Sequence, residues 1–187
     1  MHMQRVSEQL QRVDTGLVDI FATLIATKIF LEGRGLFVCG NGGSFSIASH
    51  FTTDLSKIGI DLGKKCKIFC LGSNNSLLTA ISNDYNYSSI FSKELSNLGN
   101  SGDVLFAISS SGLSPNILAC VETSSSLGMT TMSLVGFKDS KVSECSDFTI
   151  DLKLKPGDYE IAEDVHSSIC HSISLLIRES LLLHPKR

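Results

Sequence analysis

From residue 35 onward, short apolar runs recur, each ending in small polar residues and most leading into a helical stretch. LFVC (36–39) runs into GNGGS, with a helix from about Ser44, and KIFCL (67–71) runs into GSNNS and a helix over LLTAI. VLFAIS (104–109) runs into SSGLS and a helix over NILACVETSSSL. TTMSLVG (130–136) precedes a short KVSECS segment, and DFTIDL (147–152) precedes PGDYE. Strands this continuously apolar are buried on both faces, which indicates a parallel sheet covered by helices. Near-helical spacing of Ile161, Val165, Ile169, Ile173, Leu176 and Leu183 predicts a last helix over about 160–183. At the other end, Val6, Leu10, Val13, Leu17, Ile20 and Leu24 predict one long helix within residues 4–31. Phe21 and Ile25 widen its stripe, so this helix is expected to pack on another subunit as well as on its own sheet. No Pro/Gly linker or internal repeat divides the chain. The expectation is α/β: one doubly wound, flavodoxin-like domain, with an N-terminal helix in 1–33 and the core and C-terminal helix in 34–187.

Composition sharpens this in a few places. The 187 residues fit one domain at roughly 150 residues each. Apolar residues make up 42% and charged residues 19%, too apolar for a disordered chain. Lys+Arg number 16 and Asp+Glu 19, and the net charge of −3 argues against a broad nucleic-acid or anionic-membrane surface. No apolar run approaches the roughly 20 residues that span a bilayer. The start, MHMQRVSEQLQRVD, lacks the apolar region and cleavage site of a secretory signal. The six cysteines read as free, structural thiols in a reducing cytoplasm. Cys66 and Cys70 fall on a strand and lack the second half of a zinc knuckle.

Ligands of such sheets sit outside the carboxyl ends of the strands. Gly40-Asn41-Gly42-Gly43-Ser44 is not the dinucleotide fingerprint, whose third glycine would fall at Phe45, nor a P-loop. It is a flexible backbone that delivers Ser44 to a helix N-terminus. Ser109-Ser110-Ser111-Gly112-Leu113-Ser114 places four hydroxyls and several N–H groups at another helix start, where anions are attracted. Hydroxyls without lysine suit a monoester phosphate that is held and not transferred. The competing expectation is that Ser44 and Ser114 are ordinary N-caps.

These features, with His50 and Asp54 on the helix after GNGGS, ISND at 81–84, and EDVH followed by His171, resemble the sugar isomerase (SIS) domain family. Within it they are most similar to the phosphoheptose isomerases, in order over about residues 5–183. The resemblance implies a cytoplasmic aldose–ketose isomerase that converts sedoheptulose 7-phosphate to D-glycero-D-manno-heptose 7-phosphate for glycoconjugate biosynthesis. It implies a homotetramer with sites at subunit interfaces, with neither nucleic acid nor membrane as partner. By position, Asn41, Gly42, Gly43 and Ser44 would contact the phosphosugar, Asn83 and Asp84 its hydroxyls, and Ser109, Ser110, Ser111 and Ser114 its phosphate. Asp54, Glu163 and His171 match the catalytic positions, and His50, Asp54, Glu163 and His171 those of a metal, sometimes zinc. Two positions depart from the family pattern: Asp54 stands where Glu is usual, and Glu163 where Gln is usual.

The chemistry of that set can be read from the residues as well. Moving a proton between neighbouring carbons through an enediol needs a carboxylate base and a histidine acid. His50 and Asp54, four apart, share a helical face. Glu163 and His171 are eight apart, about 12 Å along an axis, and His171 leans back towards Glu163. One shared site is permitted and not required, and either Asp54 or Glu163 would serve as base. Two His and two carboxylates also make a four-ligand zinc set. His166 falls off this face and reads as structural, Asp158 and Glu160 as capping charges, Lys57, Lys64 and Lys65 as solvated. The alternatives are a non-catalytic phosphosugar-binding or replication-initiator-associating SIS protein, and an isomerase of another phosphosugar.

Overall fold

In the computed structural model, which describes residues 1–183, the apolar runs become five strands. These are β1 (Gly35–Gly40), β2 (Lys67–Cys70), β3 (Val104–Ser109), β4 (Thr130–Phe137) and β5 (Phe148–Leu154). All pair in parallel in the order β2-β1-β3-β4-β5. This is the doubly wound order, with its switch point between β1 and β3, so the expected fold class holds. β1 and β3 are buried at every residue because helices cover both faces.

Among the described residues there are eight α-helices: α1 (His2–Leu10), α2 (Thr15–Ile25), α3 (Gly43–Asp61), α4 (Asn75–Asp84), α5 (Ile90–Leu98), α6 (Pro115–Ser126), α7 (Lys141–Glu144) and α8 (Tyr159–Leu183). One face of the sheet packs Phe21, Phe51, Val165, Ile169 and Ile173 of α2, α3 and α8 against Leu36, Phe106 and Leu134. The opposite face packs Ile81, Phe91, Leu95, Ile117 and Val121 of α4, α5 and α6 against Phe37, Leu105 and Val135. Each large side chain so sequestered contributes about 1.5–3 kcal/mol.

The structure corrects the single N-terminal helix. Asp14 accepts hydrogen bonds from the N–H groups of Gly16 and Leu17 and so starts a second helix inside the expected one. That helix continues through π-helical turns at Ala26–Leu31. The buried stripe is Val18, Phe21, Ala22, Ile25 and Ile29, and Leu10 and Ile20 of the heptad pattern remain exposed. Helix α5 and a 3₁₀ turn at Tyr87–Ser89 were not anticipated. Cys39, Cys120 and Cys170 are buried thiols, whereas Cys145 is exposed.

Candidate active site

The carboxyl ends of β1 and β3 lie side by side, so their two turns meet. Gly40 ends β1 where a Cβ would strike the backbone of Ser44 and Phe45. Gly42, at φ 54°, occupies the N-cap position of α3 and supplies no side-chain cap. Ser44 is therefore one residue inside the helix and buried, not the N-cap.

In the second turn, Ser109 Oγ accepts the Gly112 N–H at 3.0 Å and Ser111 Oγ accepts the Leu113 N–H at 3.3 Å. Both hydroxyls keep a hydrogen to donate. Ser114 is the N-cap residue of α6, yet its hydroxyl makes no cap bond, and Pro115 follows. Ser110 Oγ is buried without a hydrogen-bond partner, while its carbonyl accepts the N–H groups of Gly136 and Phe137. Capping thus does not account for these serines. A rigid loop presents uncommitted hydroxyls at a helix N-terminus, which suits an oxyanion ligand.

An amide pair clasps the two turns together. Asn41 Nδ2 donates to Asn116 Oδ1 at 2.9 Å, and Asn116 Nδ2 donates to Asn41 Oδ1 at 2.8 Å. Asn116 Oδ1 also accepts the Ile117 N–H at 3.0 Å, and the Tyr87 hydroxyl donates to Asn41 Oδ1 at 3.3 Å. Neither Asn116 nor Tyr87 was singled out from sequence. The only available signal was the Pro-Asn pair directly after the serine loop.

Three of the four anticipated ligands converge. His50 Nε2 lies 3.5 Å from Asp54 Oδ1, and His171 Nε2 lies 3.9 Å from Asp54 Oδ2. The two imidazoles meet edge to face at 5.0 Å. One donor atom from each residue lies within 4.8 Å of the others. The crevice enclosed here, about 10 Å³ and walled by Ile47, Phe51, Ser167 and Cys170, has the size of an ion, and His50 and His171 are exposed beside it. Burial, and secondarily Asp54, hold the Cys170 thiol protonated, so it offers no thiolate.

Glu163 lies elsewhere. Its carboxylate stands against Gly43 at the start of α3, where any Cβ would collide with it, and it is not among the three clustered residues. Burial raises its pKa, with Glu160 and Asp164 adding to the effect. Asn83 donates to Asp84 at 2.9 Å, and both are exposed at the end of α4. His166 is wholly buried, and burial lowers its pKa to about 4, opposed by the Val135 main chain. That supports the structural reading of His166.

The chain matches the SIS domain model over residues 2–136. It is 37% identical to the phosphoheptose isomerase of Helicobacter pylori, covering 91% of this chain and 86% of that protein. It is 34% identical to that of Mycobacterium tuberculosis, with 81% and 76% covered. Among solved structures, a phosphoheptose isomerase from Neisseria gonorrhoeae superposes with a TM-score of 0.84 at 25% identity, covering 94% of this chain and 92% of that one. One from Francisella tularensis gives 0.80 at 29%, with 95% and 92% covered.

Proposed function

The chain belongs to the SIS domain family and to its phosphoheptose isomerases, and from that membership we propose that it converts sedoheptulose 7-phosphate to D-glycero-D-manno-heptose 7-phosphate. The convergence of Asp54 with His50 and His171 carries this reading, because it places a half-buried carboxylate between two imidazoles. The serine loop holds the phosphate through hydroxyls and the α6 N-terminus. Asn41 is held by Asn116 and offers its remaining amide hydrogen to the sugar.

Asp54 takes the proton from the carbon beside the carbonyl and returns it to the neighbouring carbon, passing through the enediol. His171 supplies and recovers the proton on oxygen, and His50 orients the carboxylate from its other side. Proton transfers by positioned groups of this kind contribute about 10²–10⁴-fold each. Glu163, at Gly43, faces the sugar-binding turn and is assigned to hydroxyl contacts there. Asn83 and Asp84 are assigned to the same task.

The donor set fits zinc, since two imidazoles and one carboxylate are a known three-ligand combination that leaves a position open. His50, Asp54 and His171 would hold the ion, which would supply Lewis-acid polarisation of the substrate oxygens, and the proton transfers would then fall to the Asp54 oxygen and the His171 ring nitrogen not engaged with it. We further propose a cytoplasmic homotetramer. The apolar side chains left exposed on α2 and α8, Ile20 (45%), Leu175 (56%) and Leu182 (56%), support burial against other copies. Among the described residues, no helix is long and apolar enough to cross a membrane.

The test is incubation with sedoheptulose 7-phosphate and, separately, hexose and pentose phosphates, following aldose formation. Turnover of the heptose alone is expected. Turnover of another phosphosugar instead would reassign the substrate, and no turnover of any would leave a binding module. Zinc is tested by dialysis against a chelator and readdition, and full activity of the metal-free protein would remove it.

A further inference from the structure

A second groove runs along the β5 edge of the sheet. A cavity of about 700 Å³ opens between α1, α2 and the free edge of β5, within the size range of small-molecule sites. Besides Arg5, which pairs with Asp158, four cations line it: Arg12 from the α1–α2 turn, Lys138 after β4, and Lys153 and Lys155 at the end of β5. None has a carboxylate within ion-pair distance among the described residues. The acids at the same cavity are already engaged. Asp14 caps α2, Asp151 accepts the Lys153 N–H at 2.8 Å, Asp158 pairs with Arg5 at 2.6 Å, and Glu8 accepts from Gln4.

The backbone here is distorted in a way that the fold alone does not require. Lys153 at φ 53° and Asp139 at φ 61° are the only non-glycine residues with positive φ among those described. One lines the cavity and the other follows Lys138, which lines it too. The β4–β5 register slips between Val135 and Phe137, immediately before Lys138. A bulge and strained residues persist where they aim side chains, and they cluster at binding sites. Val13, Leu17 and Leu154 add apolar wall beside the cations.

We infer that this groove binds a ligand carrying a diphosphate, in the manner of a nucleoside diphosphate, with Arg12, Lys138, Lys153 and Lys155 on the phosphates and an apolar body on Val13 and Leu17. Several unpaired cations exceed the need of one phosphate monoester, and the cavity exceeds its size. The inference does not rest on the isomerase reading, because no residue of the serine loop lines this groove.

The experiment is calorimetric titration of the full chain with inorganic pyrophosphate, ADP and inorganic phosphate at low ionic strength, where exposed charges are least screened. Pyrophosphate and ADP should bind once per protomer, and phosphate more weakly than either. ADP should bind tighter than pyrophosphate through the apolar wall, and equal affinities would overturn the part of the inference that seats an apolar body on Val13 and Leu17. The double variant Lys153→Gly, Lys155→Gln should lose about tenfold in affinity, as expected for charge-assisted contacts. Its Tm should not fall, because glycine adopts the positive φ freely. Ser111→Asp, which places a negative charge in the serine loop, should bind ADP like the parent. Unchanged affinity in the lysine variant, loss of binding in Ser111→Asp, or no binding of either diphosphate at millimolar concentration would overturn the inference.

Discussion

Truncating Asn116 should unfasten the sugar-binding turn from the phosphate-binding turn. Asn116 is 2% exposed, and its carboxamide makes three bonds: two with Asn41, at 2.9 and 2.8 Å, and one accepting the Ile117 N–H at 3.0 Å. Asn116→Ala removes all three, although the Ile117 N–H keeps the Ser114 carbonyl as an acceptor at 3.1 Å. At about 0.5–1.5 kcal/mol for each of the three neutral bonds, the loss is about 2–4 kcal/mol. Asn41→Ala removes the shared pair and the Tyr87 hydroxyl's contact, and half-buried Asn41 leaves room for water to replace part of both. The double variant should therefore be less destabilised than the sum of the singles, with a coupling of about 1–2 kcal/mol. Urea unfolding of the parent and three variants at one protomer concentration measures it, because stability of an assembled protein depends on concentration. The KM for the phosphosugar should rise in both single variants. Additivity within about 0.5 kcal/mol, or an unchanged KM in Asn116→Ala, would refute the clasp.

Gly112→Ala should cost at least about 1–2 kcal/mol for its φ of 62° alone. Its Cβ would also overlap the Ser140 side chain, so the serine loop must shift and KM should rise more than kcat falls. His166 binds protons less readily when folded, at about 4, than at its ordinary 6.5. The unfolded chain then holds more protons in that window, and stability should fall as pH drops through it, a slope that His166→Leu flattens in urea titrations at several pH values. Glu163 is shifted the opposite way, upwards, chiefly by burial. Its folded form holds a proton more tightly, so stability is lost as pH rises through the folded pKa, and Glu163→Gln should gain stability at neutral pH that disappears in acid.

The strands were legible almost to the residue because a parallel strand covered on both faces has nowhere to place a polar side chain. β3 was read at its true limits, 104–109, and β1 within one residue at each end. The N-terminal break was harder, because Val13 and Leu17 continue the apolar spacing across it. The decisive signal was local: Asp14 ahead of Thr15 and Gly16 offers a cap that outcompetes continued helix. α5 was missed although Phe91, Leu95 and Leu98 stand at the helical i, i+4, i+7 spacing, because its nine residues are flanked by the Asn- and Ser-rich stretches that signal loops. In the site, the serine loop announced itself by composition. The amide clasp did not, since one asparagine in a helix's first turn has no periodic signature.

The spacing of Glu163 and His171 left open whether both reach one site, and the structure sets them apart. His171 joins His50 and Asp54, whereas Glu163 is set against Gly43, where only glycine leaves it room. The departures at positions 54 and 163 therefore act at different places. Asp for Glu at 54 withdraws the carboxylate by one methylene within the histidine cluster. Glu for Gln at 163 adds charge near the α3 N-terminus, whose dipole favours an anion by about 0.3–1 kcal/mol. Asp54→Glu should therefore change zinc affinity, read by competition with a chromogenic chelator, whereas Glu163→Gln should change the KM for sugar and leave that affinity within about twofold. Residues without shared partners combine additively, so the double variant should show both effects undiminished. A large loss of zinc affinity in Glu163→Gln would place the fourth ligand back in the cluster and defeat this separation.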